Sequence, residues 1–162
     1  MEEQTFIDHI QANTGIIQKI LYLYVDDRED KVDLKQEIIL QAWQAIPRFK
    51  GQSTFSTWLY RVALNTVLTY QRKQKRLPTT ALKDKDFEQS QSTDHPMAEQ
   101  LKRAIKALND IDKTIITLHL DDFSNDEIAD IIGLTKNNVA VKLHRIKNEL
   151  TQKLKSKKSW TN

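Results

Sequence analysis

A chain of 162 residues with 39% apolar and 29% charged side chains has the balance of a soluble protein built as one domain or two small ones. No window approaches the roughly 18 apolar residues of a membrane span. With no cysteine there is no disulfide and no thiolate zinc site, which fits a reducing cytoplasm. The net charge of +3 is too small to name a partner, but it is unevenly spread. Acids dominate from Asp26 to Glu37, no acid occurs from Arg61 to Arg76, and Glu149 is the only acid from Lys136 to Lys158. One acidic and two basic stretches could meet a protein and phosphates respectively, or could be solvated helix faces.

Three glycines and three prolines signal few turns, so long helices should dominate. Met1 to Asp8 carries two glutamates and no basic run, so no secretory signal is expected. Phe6, Ile10, Ile17, Leu21 and Tyr24 recur at helical spacing and predict one helix over Thr5–Val25, with Gly15 its weak point. Asp26–Asp30 reads as a charged connection. A second helix over Val32–Ile46 carries the stripe Leu34, Ile38, Ala42 and Ala45, and Pro47 should end it by pushing Ile46 out of the helical region. A short loop over Arg48–Ser53 contains Gly51, and Ser53 or Thr54 can cap a third helix running to Arg76.

Residues 77–95 are polar, carry Pro78, border Pro96 and include a Gln-Ser-Gln-Ser-Thr run, so they read as a flexible linker. Beyond it, helices are expected over Met97–Leu108, Asp112–Leu120 and Ser124–Ile132, then from Lys136 to about Lys155. The expected fold is all-α, two small helical domains joined by that linker, the second a helix-turn-helix domain.

The helix-turn-helix reading rests on local chemistry. Ser124 and Glu127 stand at capping-box spacing. Gly133 suits the left-handed position that ends a helix, Leu134 can plug the core, and Thr135 can cap the next helix. In that helix Val139, Leu143, Ile146, Leu150 and Leu154 form one stripe, opposite Asn137, Asn138, Val141, His144, Arg145 and Asn148. A plain helical hairpin has the same spacing. The basic, amide-rich outer face favours a recognition helix in the major groove, where Arg and Lys read guanine and Asn reads adenine.

The first half carries more specific text. Asp33-Leu34-Lys35-Gln36-Glu37 followed by Ala42-Trp43 resembles the polymerase-binding helix of extracytoplasmic-function (ECF) sigma factors. Phe49-Lys50-Gly51-Gln52-Ser53-Thr54-Phe55-Ser56-Thr57-Trp58-Leu59-Tyr60-Arg61, continued by Asn65-Thr66, resembles the loop and helix that those proteins use on melted promoter DNA. Leu118 to Leu150 resembles their second DNA-binding domain.

The resemblance implies a sigma factor that binds core RNA polymerase and promoter DNA, catalyses no reaction, needs no cofactor and works in the cytoplasm. It also allows for an anti-sigma factor as partner. It implies a region 2 domain over 1–76 and a region 4 domain over 96–162. By the same resemblance, Asp33, Gln36, Glu37 and Leu40 would hold polymerase; much of Trp43 and part of Leu34 read simply as core. Phe49, Lys50, Gly51, Gln52, Ser53, Trp58, Arg61 and Asn65 would meet the single-stranded −10 element, with Arg72, Lys73, Lys75 and Arg76 following phosphates. Phe55, Leu59 and Val62 are expected in the core, and Trp58 is open between core and DNA. Lys136, Asn137, Asn138, Val141, Lys142, His144 and Arg145 would meet the −35 duplex.

The sequence departs from the family pattern at Ala140, where Arg or Lys is frequent, and at Val141, where a small polar residue is. Both departures bear on the upstream sequence that is read. A stand-alone helix-turn-helix regulator and a helical protein-binding adaptor are the rival readings. His9, His95, His119 and His144 are scattered without ligand spacing, and no phosphate loop or nucleophile elbow occurs.

Overall fold

The computed structural model describes residues 1–76 and 96–158, with side chains over 1–74 and 96–155. The expected linker over 77–95 lies outside the described residues. The apolar periodicity becomes α1 (Glu3–Ala12), α2 (Thr14–Tyr24), α3 (Arg28–Ala45), α4 (Phe55–Arg76), α5 (Pro96–Lys106), α6 (Asp110–Leu120), α7 (Asn125–Ile132) and α8 (Lys136–Lys158), with no strand among the described residues. The fold is all-α. The described residues fall into two compact units, one holding α1–α4 and the other α5–α8.

The single helix expected over Thr5–Val25 is two, and the break lies at Asn13 rather than Gly15. Asn13 leaves the helical region at φ −117° and ψ 17°. Its side-chain amide donates to the His9 carbonyl at 2.8 Å, and the Thr14 hydroxyl donates to the Ile10 carbonyl at 3.1 Å. Short polar side chains have here taken over carbonyls at the end of α1. The apolar stripe survives the break, since Phe6, Ile10, Ile17, Leu21 and Tyr24 are all buried.

The expected charged connection over Asp26–Asp30 is mostly the start of α3. Asp27 is its N-cap, its carboxylate accepting from the Asp30 N–H at 3.0 Å. Pro47 does end α3, but not by expelling Ile46, which stays helical at φ −57° and ψ −35°. Lacking an N–H, Pro47 cannot continue the α-helical ladder, and the chain tightens into a 3₁₀ turn over Ile46–Arg48.

In the first unit α4 packs against both α2 and α3. It buries Leu59, Tyr60, Ala63, Leu64 and Val67. Its start is capped by Thr54, whose Oγ1 accepts from the Thr57 N–H at 3.2 Å. The Ser56 hydroxyl donates to Asn13 Oδ1 at 3.0 Å, and the Gln71 amide donates to the Tyr24 carbonyl at 2.8 Å. The Tyr70 phenol bonds Asp30, and burial together with that carboxylate raises its pKa well above the ordinary phenol value. Leu59 is fully buried as expected, whereas Phe55 and Val62 are half-buried.

In the second unit α5, α6 and α7 all pack on α8. The capping box at Ser124 and Glu127 is complete in both directions. Gly133 takes the left-handed conformation at φ 76°, and its N–H bonds the Ala129 carbonyl at 2.9 Å. Thr135 Oγ1 accepts from the Asn138 N–H at 3.2 Å and so starts α8. Val139, Leu143, Ile146 and Leu150 are buried.

His119, in the last turn of α6, has its pKa held below the ordinary 6.5, first by burial and then by the charge of Lys147, with Asp122 opposing. The unfolded chain therefore takes up this proton before the folded one does. Stability is lost as pH falls through 6.5 towards the lower folded pKa. His119→Gln should flatten that loss, measured as the difference in denaturant midpoint between about pH 7.5 and about pH 5.5. An unchanged slope would show that His119 does not carry it.

Candidate polymerase and nucleic-acid interfaces

Three surfaces are left once the cores are formed. On α3, at about 100° of rotation per residue, Val32, Asp33, Gln36, Leu40 and Trp43 share one outward sector. Val32, Leu40 and Trp43 are 55%, 47% and 40% exposed. Trp43, expected largely in the core, is thus only partly covered. Its ring lies 5.0 Å between centroids from that of Phe6. Val32 was missed because it was read as the helix start, whereas α3 begins a turn earlier. Glu37, at the edge of that sector beside Asp33, is half-buried and accepts from the Gln41 amide at 2.7 Å. It lines a groove between α3 and α4 with Leu34, Asn65, Tyr70 and Lys73. Glu37 thus stands at the edge of this sector, one turn after Asp33, on the side towards Asn65.

The second surface is the loop before α4 and the start of that helix. Gly51 allows the loop's turn at φ 70°, and Lys50 and Gln52 are exposed beside half-buried Ser53. Phe49 does not project as an isolated ring. Its centroid lies 5.2 Å from that of Trp58 and 6.2 Å from that of Phe55, edge-on to the latter. Trp58 and Phe55 are 5.3 Å apart, and His9 stacks on Phe55 at 4.8 Å. Offset and edge-to-face pairs of this kind are favourable beyond their burial. They make a platform of aromatic faces at one end of the unit. His9 escaped the sequence reading because it lies more than forty residues away in the chain. Trp58, Arg61 and Asn65 share one sector of α4, and Arg61 Nε is buried without an acceptor among the described residues. Arg72 and Lys73 extend the surface as exposed cations. The side chains of Lys75 and Arg76 lie outside the described residues.

The third surface is the outward face of α8. Asn137, Asn138, Val141, His144, Arg145 and Asn148 are exposed there, with Lys142 half-buried. Lys136 pairs with Asp126 at 3.3 Å, and His144 and Asn148 approach to 3.3 Å. Arg145 is anchored: one terminal nitrogen donates to both carboxylate oxygens of Asp112, at 3.0 and 3.1 Å. The Asp112 side chain is 4% exposed against 57% for Arg145. Asn109, the N-cap of α6, also donates to Asp112 at 3.0 Å. Among the described residues no cluster of His, Asp or Glu side chains could hold a metal ion. No described helix is long and apolar enough to cross a membrane.

Both units match known proteins. Residues 9–77 match sigma-70 region 2 and residues 98–150 match sigma-70 region 4. The chain is 30% identical over 151 residues to the ECF RNA polymerase sigma-E factor of Haemophilus influenzae, covering 83% of this chain and 79% of that one. This chain belongs to the ECF sigma factors. It is also 29% identical over 128 residues to the RNA polymerase sigma factor SigV of Bacillus subtilis, covering 78% of this chain and 77% of the relative. Its fold matches that of the sigma factor RpoE from Bartonella quintana, solved in complex with the anti-sigma factor NepR. The TM-score is 0.72 at 20% identity, over 95% of this chain and 98% of that one. As a sigma factor it directs promoter-specific transcription initiation by binding core RNA polymerase and promoter DNA.

The Asp112–Arg145 pair has a measurable consequence. Arg145→Ala removes the cation from a buried carboxylate and should lower stability by about 1–3 kcal/mol. Arg145→Lys should restore only part of it, because a compact ammonium does not reproduce the planar guanidinium. Denaturant unfolding measures both. A loss under about 0.5 kcal/mol for Arg145→Ala would reduce the pair to an ordinary surface contact.

Proposed function

We propose that this sigma factor divides its work among the three surfaces. The outward sector of α3, with Asp33, Gln36 and Leu40 joined by Val32 and Trp43, docks on core polymerase, and Glu37 borders it. The loop residues Phe49, Lys50, Gly51, Gln52 and Ser53, with Trp58, Arg61 and Asn65, take the melted non-template strand of the −10 element. Aromatic faces suit unstacked bases and cations suit their phosphates. The face of α8 carrying Lys136, Asn137, Asn138, Val141, Lys142, His144 and Arg145 meets the −35 duplex. Residues 1–76 form the first of these domains and 96–162 the second. The polymerase performs the chemistry, so the sigma factor itself is not an enzyme, and it acts in the cytoplasm where polymerase meets the chromosome. An anti-sigma factor is a further partner, as for the RpoE protein whose fold it shares.

The observation that carries the docking assignment is the exposure of Val32, Leu40 and Trp43 on one face of a single helix. A helix gains nothing from three large apolar groups in water, whereas a partner surface covers them. Leu40 lies centrally among them. Leu40→Glu should weaken binding to purified core polymerase by at least tenfold, the scale of an interface hot spot. Glu37→Lys should have the smaller effect, because its carboxylate faces Gln41. Fluorescence titration with core checks both, with circular dichroism as the control for folding. Unchanged affinity for Leu40→Glu would remove α3 from the interface.

A further inference from the structure

The buried stripe of α8 is Val139, Leu143, Ile146 and Leu150. At about 100° per residue, Val141 falls diametrically opposite it, at the centre of the outward face. It is 64% exposed, and the fold makes no use of it. Its neighbours on that face are polar: Asn137 and Asn138 one turn before, His144 and Asn148 after. Two cations of this face are paired within the protein, Arg145 with Asp112 and Lys136 with Asp126, and Lys142 stands about 100° round the helix, at the flank of the face. The middle of the face therefore offers an isopropyl group among amides, rather than a guanidinium.

We propose that Val141 is a specificity residue which packs on the C5-methyl group of a thymine in the upstream promoter element. The inference rests on the assignment of α8 to the −35 duplex. Major-groove edges carry one apolar feature, the thymine methyl, and a β-branched side chain stiff at χ1 is a suitable surface for it. The flanking amides of Asn137 and Asn138 have the donor and acceptor pair that reads adenine N6 and N7. An A·T pair under Val141, next to adenines met by the asparagines, satisfies both. A guanine there would place its two acceptors, O6 and N7, against a side chain with no donor.

The test uses full-length protein with the host's core polymerase. Promoters with a randomised −35 region are first selected for transcription by this holoenzyme. In the best selected duplex, each thymine of the upstream element is then replaced by deoxyuridine, which removes only the methyl group. The expected result is one thymine whose replacement weakens holoenzyme binding about fourfold, the burial worth of one methyl group. Val141→Ala should bind the thymine and uracil duplexes alike while still preferring the selected element. A selected element without thymine, or equal binding of both duplexes by the wild-type protein, overturns the inference. If no upstream element is selected at all, the assignment of α8 to DNA falls with it, so the two failures are distinguishable.

Discussion

Burial of one face of α4 against α2 and α3 is the interaction on which the first unit depends. Leu59, Ala63 and Val67 are fully excluded from water along two turns of the helix, with Tyr60 and Leu64 beside them. That contact fixes what the rest of the helix can do. Its start must present Phe55 and Trp58 to the loop that follows Pro47, and its end must carry Arg72 and Lys73 outward. The same packing consumes the Leu34, Ile38 and Ala42 stripe of α3, so the opposite side of α3 is left to face a partner. The two surfaces of this unit are thus the uncovered halves of helices whose other halves form the core.

The second unit follows the same rule with one addition. α8 buries a stripe, but a smooth apolar stripe tolerates some rotation about its axis. The Asp112–Arg145 contact joins the start of α6 to the outward side of α8 across 33 residues of sequence. Such a pair is weak evidence for stability in itself, since desolvating the carboxylate offsets much of the attraction. Arg145 bonded to Asp112 gives that outward side a polar tie to the start of α6 beside the apolar stripe. A helix that reads base edges needs its bearing held closely, because the donors and acceptors of the groove are placed at hydrogen-bond precision.

Much of this was legible in the sequence because one physical signal dominates it. Burial at a period of 3.6 residues gave the helices and most of the core, and the capping box and left-handed glycine gave the helix-turn-helix almost residue by residue. What was misread depended on competition between local and tertiary terms. Asn13 breaks the first helix by capturing a backbone carbonyl, while Gly15, with the poorer helix propensity, stays within α2. Trp43 was expected largely in the core, yet it keeps 40% of its surface exposed with its ring against Phe6. Glu37 adjoins Asp33 one turn on, but its bond to the Gln41 amide comes from the fold and not from the motif. The Asp112–Arg145 pair and the place of His9 beside Phe55 arise from tertiary approach, and no local pattern announces either.

The central claim is that the aromatic platform at the start of α4 captures an unstacked promoter base while α8 holds the duplex upstream. The most direct measurement places 2-aminopurine at single positions in the non-template strand of the −10 element and follows its fluorescence as holoenzyme forms an open complex. The account predicts a rise on unstacking with the wild-type protein. Phe49→Ala should greatly reduce that rise while closed-complex binding stays nearly intact. If Phe49→Ala instead abolished duplex binding, and complexes already bound opened as well as wild type, the division of labour between the two units would be wrong.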